Sequence, residues 1–370
     1  MRTCRGRRSA RLSGVSTKDG DGPGTSQESA AGPAAGSAGD PSTVAAAGDA
    51  SNLGRRLPTQ QVDGEPELAT TAALLRRAFT ETHKYEPGYL KWFYIDNPEG
   101  QVVAFDHDDD GRRVGHYALV PQRFVARDSE PITMGLSVDT AVDPEVRLKG
   151  LFVQLANKTY DASRELGWAG AYGAANANST PGCTKRLGFE YVMPLPVRAV
   201  VAPWRWSVAQ GWAEVTPSYL NSVAFAELAA TIDFSPGTRL SHQWDAELLA
   251  WRLRSPAGRY VLFWNKDAVM VTSQQPASET ITTVVLKLFP RLGAPPRSSA
   301  LQLVGHACRH HRTPFAVYAG FNSRFRLAGV PIPRRFLPSP LNLLVRPLAH
   351  DLSSANFDLE TIEFLDFDQY

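Results

Sequence analysis

The most informative part of this chain is the stretch Gly135-Leu-Ser-Val-Asp-Thr-Ala-Val142, followed by Asp143-Pro-Glu-Val-Arg-Leu-Lys-Gly-Leu-Phe152. Its first part alternates between apolar residues and small or polar ones, which is the period of a β-strand. A helix is predicted from about Leu148 to Leu166, because apolar residues then recur at helical spacing. The sequence therefore predicts a strand, a short turn and a helix in direct succession.

The turn between this strand and this helix has the chemistry of an anion site. The first amides of a helix have no partner within the helix, and the helix dipole adds positive charge at the same end. Gly150 removes side-chain bulk there, while Arg147 and Lys149 add charge. The turn suits a phosphate group, and a plain packing turn is the alternative.

A second strand and a short helix follow. Trp168 to Ala174 is predicted to be a strand rich in small residues. Pro181 fits the first turn of a helix capped by Ser179 or Thr180, and Gly188 fits its end.

Together these segments resemble the acyl-CoA site of the GNAT N-acetyltransferases. The loop is similar to the family pattern Arg/Gln-x-x-Gly-x-Gly/Ala, with Phe152 where the family has Gly or Ala. Downstream, Asn178 and Gly188-Phe189 match the family's Asn and Gly-Phe. Thr184 stands where the family has the tyrosine that protonates the leaving thiolate, so the general acid would be water or Tyr191.

The resemblance implies acetyl-CoA as the acyl donor. The loop would hold its pyrophosphate, and the backbone at the end of the strand would polarise the thioester carbonyl. The donor-binding residues implied by this resemblance are Val142, Arg147, Leu148, Lys149, Gly150, Leu151, Phe152 and Asn178. No metal ligand set is implied.

Asp139 is the first candidate for the general base. By strict alternation it shares a strand face with Gly135, Ser137 and Ala141, whose small side chains leave room for a ligand. A carboxylate there could act through water, and a merely solvated or hydrogen-bonded aspartate is the alternative. His107, His116 and Tyr172 are weaker candidates.

Composition limits the other function classes. Residues 1–57 contain no aromatic residue and are predicted to be a disordered, low-complexity tail. The remainder carries 31 Lys and Arg against 32 Asp and Glu, which argues against a nucleic-acid partner. The three cysteines are isolated, which fits a reducing cytoplasm, and no apolar run approaches the length of a membrane span.

A partial internal repeat predicts a second module. Tyr89-Leu-Lys-Trp92 and the strand that follows it have a counterpart in Leu248-Leu-Ala-Trp251 and Arg259-Tyr-Val-Leu-Phe263. The second copy has no Arg-x-x-Gly loop. We therefore expect a GNAT acyl-CoA-binding domain over residues 58–200 and a degenerate GNAT-like domain over residues 201–370.

The expected fold is α+β, with two tandem GNAT-like modules of the bacterial type. Each module is predicted to be a mixed, mostly antiparallel twisted sheet flanked by helices. A chain ending near residue 200 is expected to lose acceptor turnover before donor affinity.

The expected function is transfer of an acetyl group from acetyl-CoA to a primary amine of a small molecule, with amino sugars as one candidate class. The acceptor should lie between the modules near Asp139. Two alternatives stay open: a catalytically inactive tandem binding protein, and an aminoacyl transferase of the Fem type. We expect neither a nucleic-acid partner nor a membrane partner, and the sequence does not give the oligomeric state.

Overall fold

The computed structural model describes residues 55–56, 65–79, 85–146, 150–201, 211–277, 280–337 and 339–367. The predicted tail over residues 1–57 lies outside these ranges, except for Arg55 and Arg56. The predicted domain limits after residues 57 and 200 stay predictions.

The elements of the first half of the chain form a sheet with helices on both faces. They are β1 Arg55–Arg56, α1 Glu65–Ala78, α2 Pro87–Leu90, a π-helical turn Lys91–Ile95, β2 Val103–Asp109, β3 Arg112–Val125, β4 Ile132–Val142, α3 Leu151–Glu165, β5 Gly170–Ala175, α4 Thr180–Arg186 and β6 Glu190–Pro194.

The remaining elements build a second sheet and return to the first. They are β7 Val197–Val200, β8 Gly211–Glu214, α5 Pro217–Leu220, α6 Val223–Ala230, β9 Ser241–His242, α7 Ala246–Leu253, β10 Val261–Trp264, β11 Ala268–Ala277, β12 Thr280–Pro290, β13 Ser298–Ser299, α8 Leu301–His311, β14 Ala316–Asn322, β15 Phe325–Arg326, β16 Val330–Pro331, a 3₁₀ turn Arg334–Phe336, β17 Asn342–Pro347, β18 Thr361–Glu363 and a 3₁₀ turn Phe364–Asp366.

The two sheets share one plan. The first has the order β1-β2-β3-β4-β5-β17-β6, and the second has the order β16-β7-β14-β12-β11-β10-β8. Within these orders, β4–β5 and β12–β14 are parallel pairs and the other neighbours are antiparallel. Helix α3 connects the first parallel pair and α8 connects the second, as parallel strands require a crossover. The expected α+β fold of two similar modules is confirmed.

The sequence repeat marks a direct contact between the modules. Trp92 and Trp251, which occupy matching repeat positions, stack with ring centroids 4.9 Å apart. The indole nitrogen of Trp92 donates to the carbonyl of Trp251 at 2.9 Å, and the indole nitrogen of Trp251 donates back to the carbonyl of Trp92 at 3.1 Å. Such reciprocal contacts are typical of a two-fold relation between two copies of one motif.

Strand β17 lies in the first sheet although it is almost 150 residues beyond β6 in the sequence. It pairs with β5 over six residues, from Asn342 opposite Ala175 to Pro347 opposite Gly170. Its other edge pairs with β6, where Leu343 lies opposite Met193. The first sheet is therefore completed by a strand from the predicted second domain.

The end of the described chain lies within the second module. Strand β18 pairs with β14, and Glu363 lies opposite Gly320. Gly320 has φ of +105°, and a Cβ there would meet the carbonyl oxygen of Ile362 at 2.0 Å. The amide of Leu288 in β12 donates to Glu363. The segment thus contacts both strands of the second parallel pair.

Buried charges hold this segment in place. Lys287 is paired with Asp366 at 2.7 Å and with Glu363 at 3.3 Å. Burial alone would raise the pKa of Asp366, but Lys287 and His242 outweigh burial and hold the pKa well below its usual range. Burial would likewise lower the pKa of His242, but Glu99 and Asp366 outweigh it and raise the pKa. Since Glu99 precedes β2 and Asp366 follows β18, this cluster also joins the two modules.

A chain truncated after residue 200 is expected not to fold, because it lacks β17, and β5 and β6 then lose the strand that joins them. This prediction replaces the expectation that such a chain loses acceptor turnover before donor affinity, since that expectation requires a folded chain. Thermal unfolding followed by circular dichroism, with the full-length chain as reference, should show no cooperative transition. A cooperative transition together with acetyl-CoA binding by the truncated chain would contradict the role given to β17.

Candidate active site

The parallel pair β4–β5 opens after three residue pairs. The strands pair at Met134–Gly170, Gly135–Ala171 and Leu136–Tyr172, and both strands continue beyond these pairs without pairing to each other. The edges that face each other there carry main-chain N–H and C=O groups that need partners. An extended ligand can supply these partners in the way that an added strand does.

A β-bulge in β4 lies beside this opening. The register of β3 with β4 passes from Ala118–Val138 to His116–Ala141, so Asp139 and Thr140 together oppose Tyr117. Asp139 has φ of +50°, in the left-handed region that aspartate tolerates better than most residues. Bulges are common next to active sites, where they redirect a side chain.

The bulge changes which residues share a strand face. Ser137 bonds Tyr117 on the face covered by α3, whereas Ala141 packs with Leu136 in the core on the opposite face. The side chain of Asp139 also points to that opposite face, where it meets Tyr94. The prediction that Asp139 shares a face with Ser137 is therefore wrong, because the inserted residue interrupts the strict alternation, whereas Ala141 does lie on the face of Asp139.

Asp139 is the outer end of a buried chain of polar side chains. The hydroxyl of Tyr94 lies 3.0 Å from Oδ2 of Asp139 and 3.1 Å from Nε2 of His116. Nδ1 of His116 lies 2.6 Å from Asp106, and Asp106 is paired with Arg113 at 2.9 Å. Asp139 is 8% exposed and His116 is fully buried. His116 is thus connected to Asp139 through the hydroxyl of Tyr94, but His116 itself does not reach the surface.

Asp143 fixes the start of the predicted phosphate loop. It accepts from Nε of Arg77 at 2.9 Å and from Nη2 of Arg112 at 2.5 Å, and the amide of Glu145 donates to it at 3.0 Å. Burial alone would raise the pKa of Asp143, but these donors outweigh burial and lower the pKa. The chain is therefore held in place at Asp143, where it leaves β4 and enters the loop.

The loop ends at the N-terminus of α3. Gly150 is exposed, has φ of +84° and precedes the first helical residue, and no described side chain caps the helix there. The first amides of α3 therefore face the end of the loop as potential anion donors. Arg147, Leu148 and Lys149 lie outside the described residues.

The other predicted donor-binding residues have different surroundings. Val142 ends β4 and is half-buried, and Leu151 is buried in the core under α3. Phe152 is half-buried and packs edge-on against Tyr117, with ring centroids 5.7 Å apart. Asn178 is exposed in the turn before α4, and its main-chain amide donates to the side-chain oxygen of Asn176. The ring of Phe152 is therefore in contact with β3 through Tyr117.

The remaining acid and base candidates divide into buried and exposed residues. Tyr172 is buried with its hydroxyl donating to the carbonyl of Asp366, and burial raises its pKa well above the usual value. The Thr184 hydroxyl donates to the carbonyl of Thr180 within α4. Tyr191 on β6 is 49% exposed. His107 is half-buried on β2. Among these residues, Tyr191 has the most accessible hydroxyl.

Sequence analysis overlooked Tyr94. It lies in the π-helical turn, a rare geometry that often marks functional positions. The only sequence signal is the aromatic run Trp92-Phe93-Tyr94, in which Tyr94 looks like another packing residue.

A cleft of about 410 Å³ opens between the modules. Most of its lining is apolar and comes from β6, β17, β14 and the segment before β18, with an Arg239–Asp358 ion pair at 3.2 Å. Its wall residue Leu343 belongs to the same core as Tyr94 and Ala141. The cleft is therefore on the sheet face that carries Asp139.

Two features are absent from the described part of the chain. Its helices include none with the length and hydropathy needed to cross a membrane. Its His, Cys, Asp and Glu side chains form no group of three or more suited to hold a metal ion.

Comparisons with known proteins agree with this architecture. A "Probable N-Acyltransferase" of Enterococcus faecalis V583 is 11% identical, with 80% of this chain and 72% of that chain covered and a TM-score of 0.51. Saccharomyces cerevisiae N-myristoyltransferase with bound myristoyl-CoA is 10% identical, with coverage of 80% and 82% and a TM-score of 0.50. At these identities the likeness concerns the fold. No curated protein sequence matches the chain.

A family model also matches, and it falls on the module that contains the open strands. Residues 64–192 match the model described as "Acetyltransferase (GNAT) domain". This range includes β4, the loop, α3 and β5. Residues 64–192 therefore form a GNAT acetyltransferase domain.

Proposed function

We propose that this protein transfers an acetyl group from acetyl-CoA to a primary amine of a small molecule. The observation that carries the proposal is the opening of β4 from β5 beside the N-terminus of α3, with Asp139 on the strand at that opening. The opening suits an extended thioester arm, and the exposed Gly150 turn suits a pyrophosphate.

The proposed chemistry is direct attack of a neutral amine on the thioester carbonyl. Asp139 accepts the ammonium proton, through a water molecule, and the main-chain N–H of Val142 polarises the carbonyl. Loop residues Arg147 to Phe152 hold the pyrophosphate, and Asn178 contacts the donor arm. Water or Tyr191 protonates the leaving thiolate.

We propose the cleft between the modules as the acceptor site. Its position on the Asp139 face and its largely apolar lining support this assignment. Amino sugars stay a candidate acceptor class, since their ring faces can pack on apolar and aromatic side chains. A screen of amines with acetyl-CoA would identify the acceptor. A cytoplasmic location stays a prediction from the isolated cysteines.

A catalytically inactive binding protein is the second candidate. One observation favours it: Thr184, at the position of the usual general acid, donates its hydroxyl within its own helix. Acetyl-CoA turnover with any amine of the screen would exclude this candidate. A Fem-type aminoacyl transferase would instead require tRNA binding at moderate salt, which a gel shift would detect.

Asp139→Asn is expected to lower kcat by about 100-fold or more, because a general base typically contributes 10²–10⁴-fold. Asparagine also tolerates a positive φ, so folding and acetyl-CoA affinity should be kept. Asp128→Asn is the matched control, since Asp128 has φ of +61° but lies in an exposed turn. Steady-state kinetics and calorimetric titration measure both quantities. Equal kcat for the two variants would exclude Asp139 as the base.

Gly150→Val is expected to weaken acetyl-CoA binding by about tenfold or more, because relief of a strained positive φ displaces the first amides of α3. Gly167→Val is the control at the other end of the same helix. Both glycines have positive φ, of +84° and +78°, and a Cβ at either has no heavy atom closer than 3.9 Å. The two variants should lose similar thermal stability. Equal acetyl-CoA affinity in both would argue against a phosphate site at Gly150.

One acetyl-CoA is expected to bind per chain. In the second module, β18 pairs with β14 and Glu363 bonds β12, so the chain itself occupies the position that corresponds to the opening between β4 and β5. Helix α8 also begins after Ala300, whose φ of −90° differs from the left-handed turn at Gly150. Equilibrium titration with the full-length chain measures the stoichiometry, and two equivalent sites would refute this assignment.

A further inference from the structure

His242 lies at the junction of the two modules, between two buried carboxylates. Its Nε2 lies 2.7 Å from Glu99, which precedes β2, and its Nδ1 lies 3.5 Å from Asp366, which follows β18. The side chains of these three residues are 3%, 1% and 1% exposed. The main chain of His242 pairs with Phe124 in β3, which fixes the imidazole between the two carboxylates.

Only an imidazolium offers a proton to both carboxylates. A neutral imidazole donates from one nitrogen and turns the lone pair of the other toward its neighbour. Asp366 is ionised: burial would raise the pKa of its carboxyl, but Lys287, paired at 2.7 Å, and His242 hold that pKa well below its usual range. A neutral His242 would therefore leave one ring nitrogen without a favourable contact.

The proton between His242 and Glu99 belongs on His242. The ordinary pKa of imidazole is roughly two units above that of a glutamate carboxyl. The amide of Arg123 donates to Glu99 at 2.7 Å and its guanidinium lies 3.7 Å away, and both favour the carboxylate form of Glu99. Burial would lower the pKa of His242, but Glu99 and Asp366 outweigh burial and raise it.

Other charged groups lie behind the imidazole and have partners of their own. Lys287 contacts Glu363 at 3.3 Å in addition to Asp366. Across the small cavity that His242 lines, Arg324 pairs with Asp233, and Glu360 accepts from the hydroxyl of Ser323 at 3.0 Å. Glu99 and Asp366 are thus the charged groups that face the ring nitrogens directly.

Asp366 belongs to a segment, residues 361–367, that also contacts the first sheet. Its main-chain carbonyl lies 3.0 Å from the hydroxyl of Tyr172 in β5 and accepts from Nε2 of Gln122 in β3 at 3.3 Å. Arg252 in α7 donates to main-chain carbonyls of the same segment. Tyr172 lies in the last residue pair before β4 and β5 separate. The segment is therefore docked beside the inner end of the opening.

We propose that protonated His242 is a pH-dependent latch that holds residues 361–367 against the first sheet. When the proton is lost at higher pH, the positive charge between Glu99 and Asp366 disappears, and a lone pair faces one carboxylate. The two carboxylates then repel each other across the imidazole, and the segment opens locally. The latch operates whether or not the protein transfers an acetyl group.

Nitrogen NMR of the full-length protein labelled with ¹⁵N-histidine measures the pKa of His242, with its signals assigned by their loss in His242→Gln. The pKa should lie above the ordinary value of 6.5. Glu99→Gln should lower it by about one pH unit or more, because the nearest carboxylate is removed. A pKa at or below the ordinary value, or the same pKa in wild type and Glu99→Gln, would overturn the proposal.

Hydrogen exchange followed by mass spectrometry tests the release of the segment. Peptides that cover residues 361–367 should exchange about tenfold faster one pH unit above the measured pKa than one pH unit below it, after correction for the intrinsic pH dependence of exchange. The reason is that the neutral fraction of His242 rises from about 0.1 to about 0.9 over this range. In His242→Gln the corrected exchange should be fast at both pH values. Equal corrected exchange of the wild type at both values would contradict the latch.

His311→Gln is the matched control, because His311 is a buried histidine of the second module that bonds Thr272 at 3.1 Å. Burial lowers the pKa of His311 to about 4, so this residue is neutral at both pH values. The control should lose the same free energy of unfolding at both values and keep the pH-dependent exchange of residues 361–367.

The loss in His242→Gln should instead be larger at the lower pH, since a raised pKa stabilises the folded state only while the proton is bound. Denaturant unfolding of the wild type and both variants measures these differences. An equal loss at both pH values in His242→Gln would show that His242 is a structural residue and not a latch.

Discussion

The pairing of β17 with β5 and β6 is the constraint on which the rest of the structure depends. A strand near the C-terminus lies between two strands that are close to each other in the sequence. The parallel strand β5 therefore receives partners on both edges only when the whole chain has folded. Long-range pairing of this kind carries a large loop-closure cost before any contact forms. The folding of each module therefore depends on the other module. The reciprocal hydrogen bonds of Trp92 and Trp251 add a second contact between them.

Local patterns predicted the elements well because their signals are local. The strand that ends at Val142, the helix that follows the loop and the strand that became β5 were all expected from periodicity and turn residues. The partner of β5 was not predicted. Leu341 to Val345 is an apolar run that suits a strand in either sheet, and its sequence carries no mark of which sheet it joins.

The site was predicted less well than the fold, and the bulge explains the difference. An alternating pattern assigns faces only while each residue has one opposite partner. Asp139 breaks this rule because its backbone is left-handed. Aspartate can adopt this conformation, but the presence of an aspartate does not predict it. The face of Asp139, and with it the contact to Tyr94, follows from that single conformation. The donor-binding role of the loop stays a prediction, although Gly150 does precede α3 as its spacing indicates.

The two modules show how one fold can be open in one copy and closed in the other. Each has a parallel pair joined by a helix. In the first module the strands separate beside an uncapped helix, whereas in the second the chain's own segment pairs with β14 and bonds β12. Gly320 permits this close approach, since any Cβ there would meet the carbonyl of Ile362. The same geometric opening is thus a ligand site in the proposed function and a docking site for the chain itself.

Stability does not account for the polar chain behind Asp139. Burying ionised groups is costly, and well-packed apolar side chains of similar volume often serve as well or better. Here Arg113 and Asp106 are almost completely buried, His116 is fully buried, and the chain ends at a strained aspartate. Strain and buried charge tend to concentrate where a protein performs chemistry. In the proposed function, the buried contact with Tyr94 holds the side chain of Asp139 at the opening between β4 and β5, where a base is needed.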